Sequence, residues 1–177
     1  MSEKRNTAIF INGGAGRVIA SIPALERFTE ENPDDDFVIV CEGGTDFYKG
    51  HSTLHARAYD VWHKNLFQEK LINMNLCTPE PYRVWEYYNQ KCSIAEAYDI
   101  GINNKGLRDL PHPRIILNRQ EQIFGQQLIN EVKEKTKKDK VIVFQPYGRA
   151  IQNKDGMVSD GTGRSFEADN AVSIIRK

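Results

Sequence analysis

The sequence predicts an α/β fold in which a parallel sheet is flanked by helices. Three observations carry this reading. Residues Thr7 to Leu25 run TAIFINGGAGRVIASIPAL: a short apolar segment, a glycine-rich turn, then apolar residues at helical spacing. A second apolar run, Phe37–Cys41, follows one helix later, and a strand, helix and strand this close in sequence form a βαβ unit with parallel strands. Toward the other end, Val141 to Ala150 (VIVFQPYGRA) reads as a second opening of the same kind.

The elements follow in order. Thr7–Asn12 is a strand whose Ile9, Phe10 and Ile11 form a run suited to burial on both faces. Val18, Ile22, Leu25 and Phe28 recur at helical spacing, with Ile19 widening the stripe. Pro23 lies inside that span, so the helix proper starts near Ser21 as N-cap or kinks there. Asn32–Asp36 is a turn and Phe37–Cys41 (FVIVC) the second strand. Glu42–Asp46 forms a loop at that strand's C-terminal end, the edge where open α/β sheets place their ligands. Ala56–Trp62 reads as a short third strand and Tyr82–Tyr98 as a helix. Arg114–Leu117 is a further strand and Gln120–Lys137 a helix with Ile123, Phe124, Leu128, Ile129 and Val132 on its apolar side. Val141–Phe144 is a strand, Gly148–Gly163 a polar glycine-rich stretch that is either a mobile segment or a ligand loop, and Ser165–Arg176 a helix. The resulting organisation is a first domain over residues 1–112, a connecting strand and helix over 113–140, and a strand–loop–helix over 141–177 that begins a second domain.

Composition narrows the function classes. The 177 residues carry 40% hydrophobic and 27% charged side chains, the profile of an ordinary globular protein. Lysine plus arginine number 24 and aspartate plus glutamate 24, with no basic stripe of the kind nucleic-acid binders show. The lysine-rich stretch Lys133–Lys140 reads as a solvated helix end. No apolar run approaches the roughly 18 residues needed to span a bilayer. The N-terminus lacks the apolar core of a secretion signal, which leaves peripheral contact as the only expected form of membrane association. Cys41, Cys77 and Cys92 are widely spaced and odd in number, which suits free thiols and a cytoplasmic protein.

The chemistry centres on Gly13, Gly14, Ala15, Gly16 and Arg17. A loop with almost no side chains opening onto a helix presents backbone N–H groups to anionic or polar ligand atoms. It fits a dinucleotide fingerprint poorly, because Ile19 fills the third position where close helix–strand packing calls for a small residue. Glu42 nevertheless ends the second strand where a ribose-binding acid would sit, so an NAD(P)- or nucleotide-binding oxidoreductase is one alternative. No Gly-Lys-Ser/Thr follows the loop, so it is not a P-loop.

The run GAGRVIASIPAL resembles the N-terminal signature of the ADP-heptose:lipopolysaccharide heptosyltransferases and related glycosyltransferases, through Gly14, Gly16, Val18, Ile19, Pro23, Ala24 and Leu25. NPDDDFVIVCEGG resembles the family's acidic turn and second strand, and VIVFQPYGRA the opening of its second domain. The resemblance implies the GT-B architecture: two Rossmann-like domains facing a cleft, the first taking a glycan or lipid-linked acceptor and the second a nucleotide-sugar co-substrate. It implies no other cofactor and no metal, and sugar transfer to a hydroxyl. The family's catalytic Asp follows the second glycine, where this chain has Arg17. Arginine cannot serve as a base at neutral pH, so Glu42 or Asp46 takes that role, or the acceptor is handled differently, or the domain is a non-catalytic binding module. Arg17 instead suits an anionic group, and Arg149, Arg164 and Ser165 are the candidates for the donor diphosphate.

Other constellations point to structure. His51 and His55 stand at i, i+4 with His63 beyond, but without a glutamate or cysteine pattern for zinc they read as exposed loop histidines. Tyr82, Trp85, Tyr87 and Tyr88 have the chemistry to stack a sugar, yet at helical spacing they read as a core-facing stripe.

Overall fold

The computed structural model describes residues 6–148, 151–154, 157–160 and 165–176. The chain forms two compact units, Met1–Gln122 and Ile123–Lys177.

The first unit is built on β1 (Thr7–Ile11), β2 (Val38–Cys41), β3 (Ala58–Asp60) and β4 (Asn75–Cys77). All pair in parallel in the order β3-β2-β1-β4, and helices flank the sheet, a Rossmann-like α/β arrangement. Alternation along the strands decides the packing. Ile9, Ile11, Ile39 and Cys41 face α1 (Ala15–Glu31) and form the main core with Val18, Ile22 and Leu25. Ala8 and Val40 face the other way, onto Leu66 and Leu71 beneath a thinner cover. Between β2 and β3 lies the one-turn helix α2 (Ser52–His55), and between β3 and β4 the similar α3 (Leu66–Glu69).

Helix α1 starts at Ala15, six residues earlier than a cap at Ser21, and keeps Pro23 inside it. Pro23 has no N–H for the Ile19 carbonyl. Ser21 is not a cap: its hydroxyl donates to the Val18 carbonyl at 2.8 Å and meets the buried Tyr48 hydroxyl at 3.1 Å. The turn after α1 is fastened to β1 by Asp35, which is 8% exposed and accepts from the Thr7 N–H at 3.1 Å and hydroxyl at 2.7 Å. Asp35→Ala strands both donors and is expected to cost about 1–3 kcal/mol in urea denaturation, whereas Thr7→Val should cost less.

The segment expected as one helix over Tyr82–Tyr98 is broken. It holds a 3-10 turn at Pro81–Arg83, the single turn α4 (Trp85–Tyr88), and then α5 (Ile94–Asn103). Val84 is extended and Gln90 sits at φ 57°, so no helix passes through either. Ser93 restarts the helix through a capping box with Glu96. The break turns the aromatic residues outward: Tyr82, Trp85 and Tyr88 are exposed rather than core. Helix α5 packs on α1 and brings Tyr98 and Ile102 into the main core.

Residues 104–117 run without regular structure and are pinned at three points. Arg108 bonds to Asp99 and Glu31, the Arg114 carbonyl accepts from His51 Nε2 at 2.9 Å, and Ile116 lies against Gly50. Arg114–Leu117 is therefore not a strand. It is held by side chains and has no ladder partner among the described residues. His51, expected as an exposed loop residue, is buried with Nδ1 2.7 Å from Glu26. Among the described residues no cluster of three or more potential metal ligands forms.

The second unit takes in most of α6 (Arg119–Thr136) and all of α7 (Ala168–Arg176). The helix expected over Gln120–Lys137 is present, but Ile123, Phe124, Leu128 and Ile129 stay exposed. Val141–Phe144 pairs with no neighbour among the described residues, and Ile142 and Val143 are nearly fully exposed, so it is not a strand here. The described residues of the glycine-rich stretch instead form an antiparallel hairpin, β5 (Ile151–Lys154) with β6 (Met157–Asp160). The final helix begins three residues later than Ser165. Among the described residues no helix is long and apolar enough to cross a membrane.

Candidate functional site at the sheet switch point

The strand order defines where a ligand fits. The chain moves outward from β1 to β2 and β3, then returns to place β4 on the other side of β1. Connections thus diverge on either side of the gap between β1 and β4, and in open α/β sheets ligands bind beyond the C-terminal ends of two such strands, at a crevice the topology creates. The glycine loop leaves β1 at this point, and Glu80 follows β4 three residues on.

The loop turns at Gly13, whose φ of 92° lies in the region that favours glycine. Gly14 is the N-cap of α1, with no side-chain cap and no acid in the first turn. The first N–H groups of the helix accordingly have no helical acceptor and face the crevice end of the sheet. Gly43, after β2, closes on this loop: a Cβ there would stand 2.7 Å from both the Gly14 carbonyl carbon and Val18 Cγ2. Gly43→Ala must push the loop aside, with an expected loss of about 1–3 kcal/mol in thermal or chemical unfolding.

Two charged groups flank the loop. Glu42 keeps its backbone N–H on the Ile11 carbonyl at 3.3 Å, and its carboxylate turns back to accept from the Gly13 N–H at 2.6 Å. A carboxylate there repels a second anion, which weighs against a dinucleotide pyrophosphate at this N–H. Arg17 is held from three sides. Its Nε donates to the buried Tyr98 hydroxyl and its Nη2 to Glu80 Oε1, both at 2.9 Å, and its guanidinium lies 5.1 Å from the Tyr82 ring centre. Partial burial works against its charge, but the bonds to Tyr98 and Glu80 outweigh that and raise its pKa, so it stays cationic. The charge at this helix start, unfavourable to the dipole, is thereby compensated by Glu80.

Asp46 is differently placed. It bonds to Lys49 at 2.6 Å, and that bond holds its carboxyl below the usual range, which lowers its proton affinity. Of the two acids expected as bases, only Glu42 touches the glycine loop.

No protein-family model, curated protein or solved structure significantly matches this chain.

Arg149 and Arg164 lie outside the described residues. Ser165 accepts from the Gly148 N–H at 2.8 Å and donates its only proton to Asp160 at 2.6 Å. Its hydroxyl thus joins the hairpin to the start of α7's approach, and donation to a phosphate requires breaking the Asp160 bond.

Sequence reasoning missed Glu80 and Tyr98 as partners of Arg17. The sign that pointed to them was Arg17 itself, a cation at a helix N-terminus that calls for compensation. Locating Glu80 required β4, and Asn75–Cys77, three residues long, is too short to read as a strand.

Proposed function

We propose that this chain is the acceptor-side domain of a glycosyltransferase, moving a sugar from a nucleotide-activated donor to a hydroxyl of a glycan or lipid-linked acceptor. The observation that carries the reading is Glu42: a solvent-facing carboxylate at the end of β2, hydrogen-bonded to the glycine loop that leaves β1, the strand on whose far side the sheet order reverses. The resemblance of Gly14 through Leu25 to the heptosyltransferase signature supports the same reaction class. The acceptor hydroxyl docks by the loop and gives its proton to Glu42 as its oxygen bonds to the anomeric carbon. The bond from that carbon to the donor phosphate breaks, and the nucleoside diphosphate leaves with the electron pair. Arg17 positions the acceptor side of the crevice by locking the helix start to Glu80 and Tyr98. The donor phosphates fall to residues of the second unit, with Arg149 and Arg164 as the cationic candidates.

The test is acceptor-dependent release of nucleoside diphosphate by the natural full-length protein, across a panel of nucleotide sugars and glycan or glycolipid acceptors. Release that requires both substrates supports the reading. Absence of turnover throughout the panel, with tight NAD(P) binding by this chain, replaces it with the oxidoreductase.

A further inference from the structure

Next to Arg17, which lies against Tyr82, the residues Tyr82, Tyr87, Tyr88, Gln90 and Cys92 line an open hollow of about 530 Å³. We infer that this hollow is a binding subsite for a neutral pyranose ring of the acceptor, stacked on the tyrosine faces. The inference rests on the transferase reading for its biological role, but the binding itself is measured separately.

Four features of the hollow point to that ligand. Its volume falls within the range of small-molecule sites, about 300–1,000 Å³. Tyr88 is 80% exposed and Tyr82 46%, so aromatic surface of a kind normally buried is left open in one concave place. None of its lining side chains is charged, which disfavours a phosphate or carboxylate and favours a neutral ligand. Three phenols and one amide supply hydrogen-bond donors and acceptors at the edges of apolar faces, the combination that suits a ring with a C–H face and a rim of hydroxyls.

The platform is also built rather than incidental. Tyr82 and Tyr87 meet edge to face, with ring centres 5.6 Å apart. Tyr82 carries the Arg17 guanidinium against its ring, which ties the hollow to the glycine-loop crevice. Gln90 lines the hollow from a left-handed backbone, φ 57°, unusual for a residue other than glycine or asparagine. Trp85, also exposed, carries Lys91 Nζ 4.1 Å from its ring centre and is not part of the lining.

The experiment is saturation-transfer NMR on the full chain with the methyl glycosides of glucose, galactose, mannose and N-acetylglucosamine, and with adenosine as the competing aromatic ligand. A parallel measurement follows alkylation of Cys92, with Cys77 as internal reference. At least one pyranoside is expected to receive saturation on its C–H face and to slow alkylation of Cys92 but not of Cys77. Tyr88→Ala should abolish both effects and Tyr88→Phe should keep the stacking signal. Tyr88 is so exposed that neither variant endangers folding. Saturation of adenosine alone makes the hollow a nucleobase site and overturns the inference. So does absence of any pyranoside signal, or a pyranoside signal unchanged in Tyr88→Ala. If a pyranoside binds here while the natural protein transfers no sugar, the subsite stands and the transferase reading falls.

Discussion

Arg108→Ala is expected to remove about 3–5 kcal/mol of unfolding free energy, the cost of leaving a buried charge without its partner. Asp99 is 1% exposed, and its carboxylate receives Arg108 Nε at 2.6 Å and Nη2 at 2.8 Å in a forked pair. Asn103 Nδ2 adds a third bond to the same carboxylate at 2.6 Å. The other arm of Arg108 reaches Glu31 at 2.5 Å, so one guanidinium ties the end of α1, the body of α5 and the chain after it. Arg108→Lys keeps the charge but loses the fork, and should recover only part of the loss. Replacing Asp99 and Arg108 together with leucine should cost less than the sum of the single changes, because neither charge is then left alone. Denaturant midpoints of the parent, Arg108→Ala, Arg108→Lys, the two single leucine variants and the double leucine variant decide the matter, and an Arg108→Ala protein as stable as the parent refutes the account.

The same network gives a pH dependence. Arg108, followed by Lys105, holds the Glu31 carboxyl below its ordinary pKa of 4.5. A carboxyl whose folded pKa is depressed contributes stability above its unfolded pKa and loses it as pH falls through the folded value. The melting temperature should therefore drop from about pH 4.5 downward, and the drop should be shallower in Glu31→Gln.

Glu42→Gln carries the largest effect on function. Under the transferase reading it should lower kcat by about 10²–10⁴-fold, the usual contribution of a positioned general base. Gln Oε1 can still accept from the Gly13 N–H, so loop geometry and stability should hold. That separates loss of the base from loss of the fold. Arg17→Ala provides the contrast. It frees Glu80 and Tyr98 and disturbs acceptor positioning, so it should act mainly on the acceptor KM. If Arg17→Ala abolishes turnover while Glu42→Gln spares it, Glu42 is not the base. Asp46→Asn, which only loses the Lys49 contact, should leave kcat within a few-fold of the parent.

Much of the first unit was legible in sequence. Ile9, Ile11, Ile39 and Val40 are buried at or near 0% exposure because a strand covered on both faces needs an unbroken apolar run, and such runs are easy to see. β4 was not legible, since Leu76 at its centre is 69% exposed and the strand exists only because β1 offers it a parallel partner. The converse error came from the same cause: RIIL and VIVF have strand composition, but composition without a neighbour does not make a ladder. The aromatic residues after β4 were misplaced because helical spacing says which residues share a face only if the helix is continuous. Val84 and Gln90 interrupt it for reasons of backbone geometry that spacing does not encode. In the candidate site, the glycine loop and Glu42 were visible as strand ends. The pairing of Arg17 with Glu80 and Tyr98 spans 63 and 81 residues and emerges only from the topology.

The order of the sheet also makes the two walls of the crevice unequal in their opening kinetics. One wall, the glycine loop, springs from β1, an inner strand bonded on both sides and packed beneath α1. The other wall hangs from β4, three residues at the edge with half of its ladder unpaired among the described residues. Amide exchange should be slowest at Ile9 and Ile11 and much faster at the exposed Leu76 of the edge strand, placing the walls in different cooperative units. A ligand in the crevice then meets one fixed surface and one that breathes, and its binding should be read most clearly as added protection along β4.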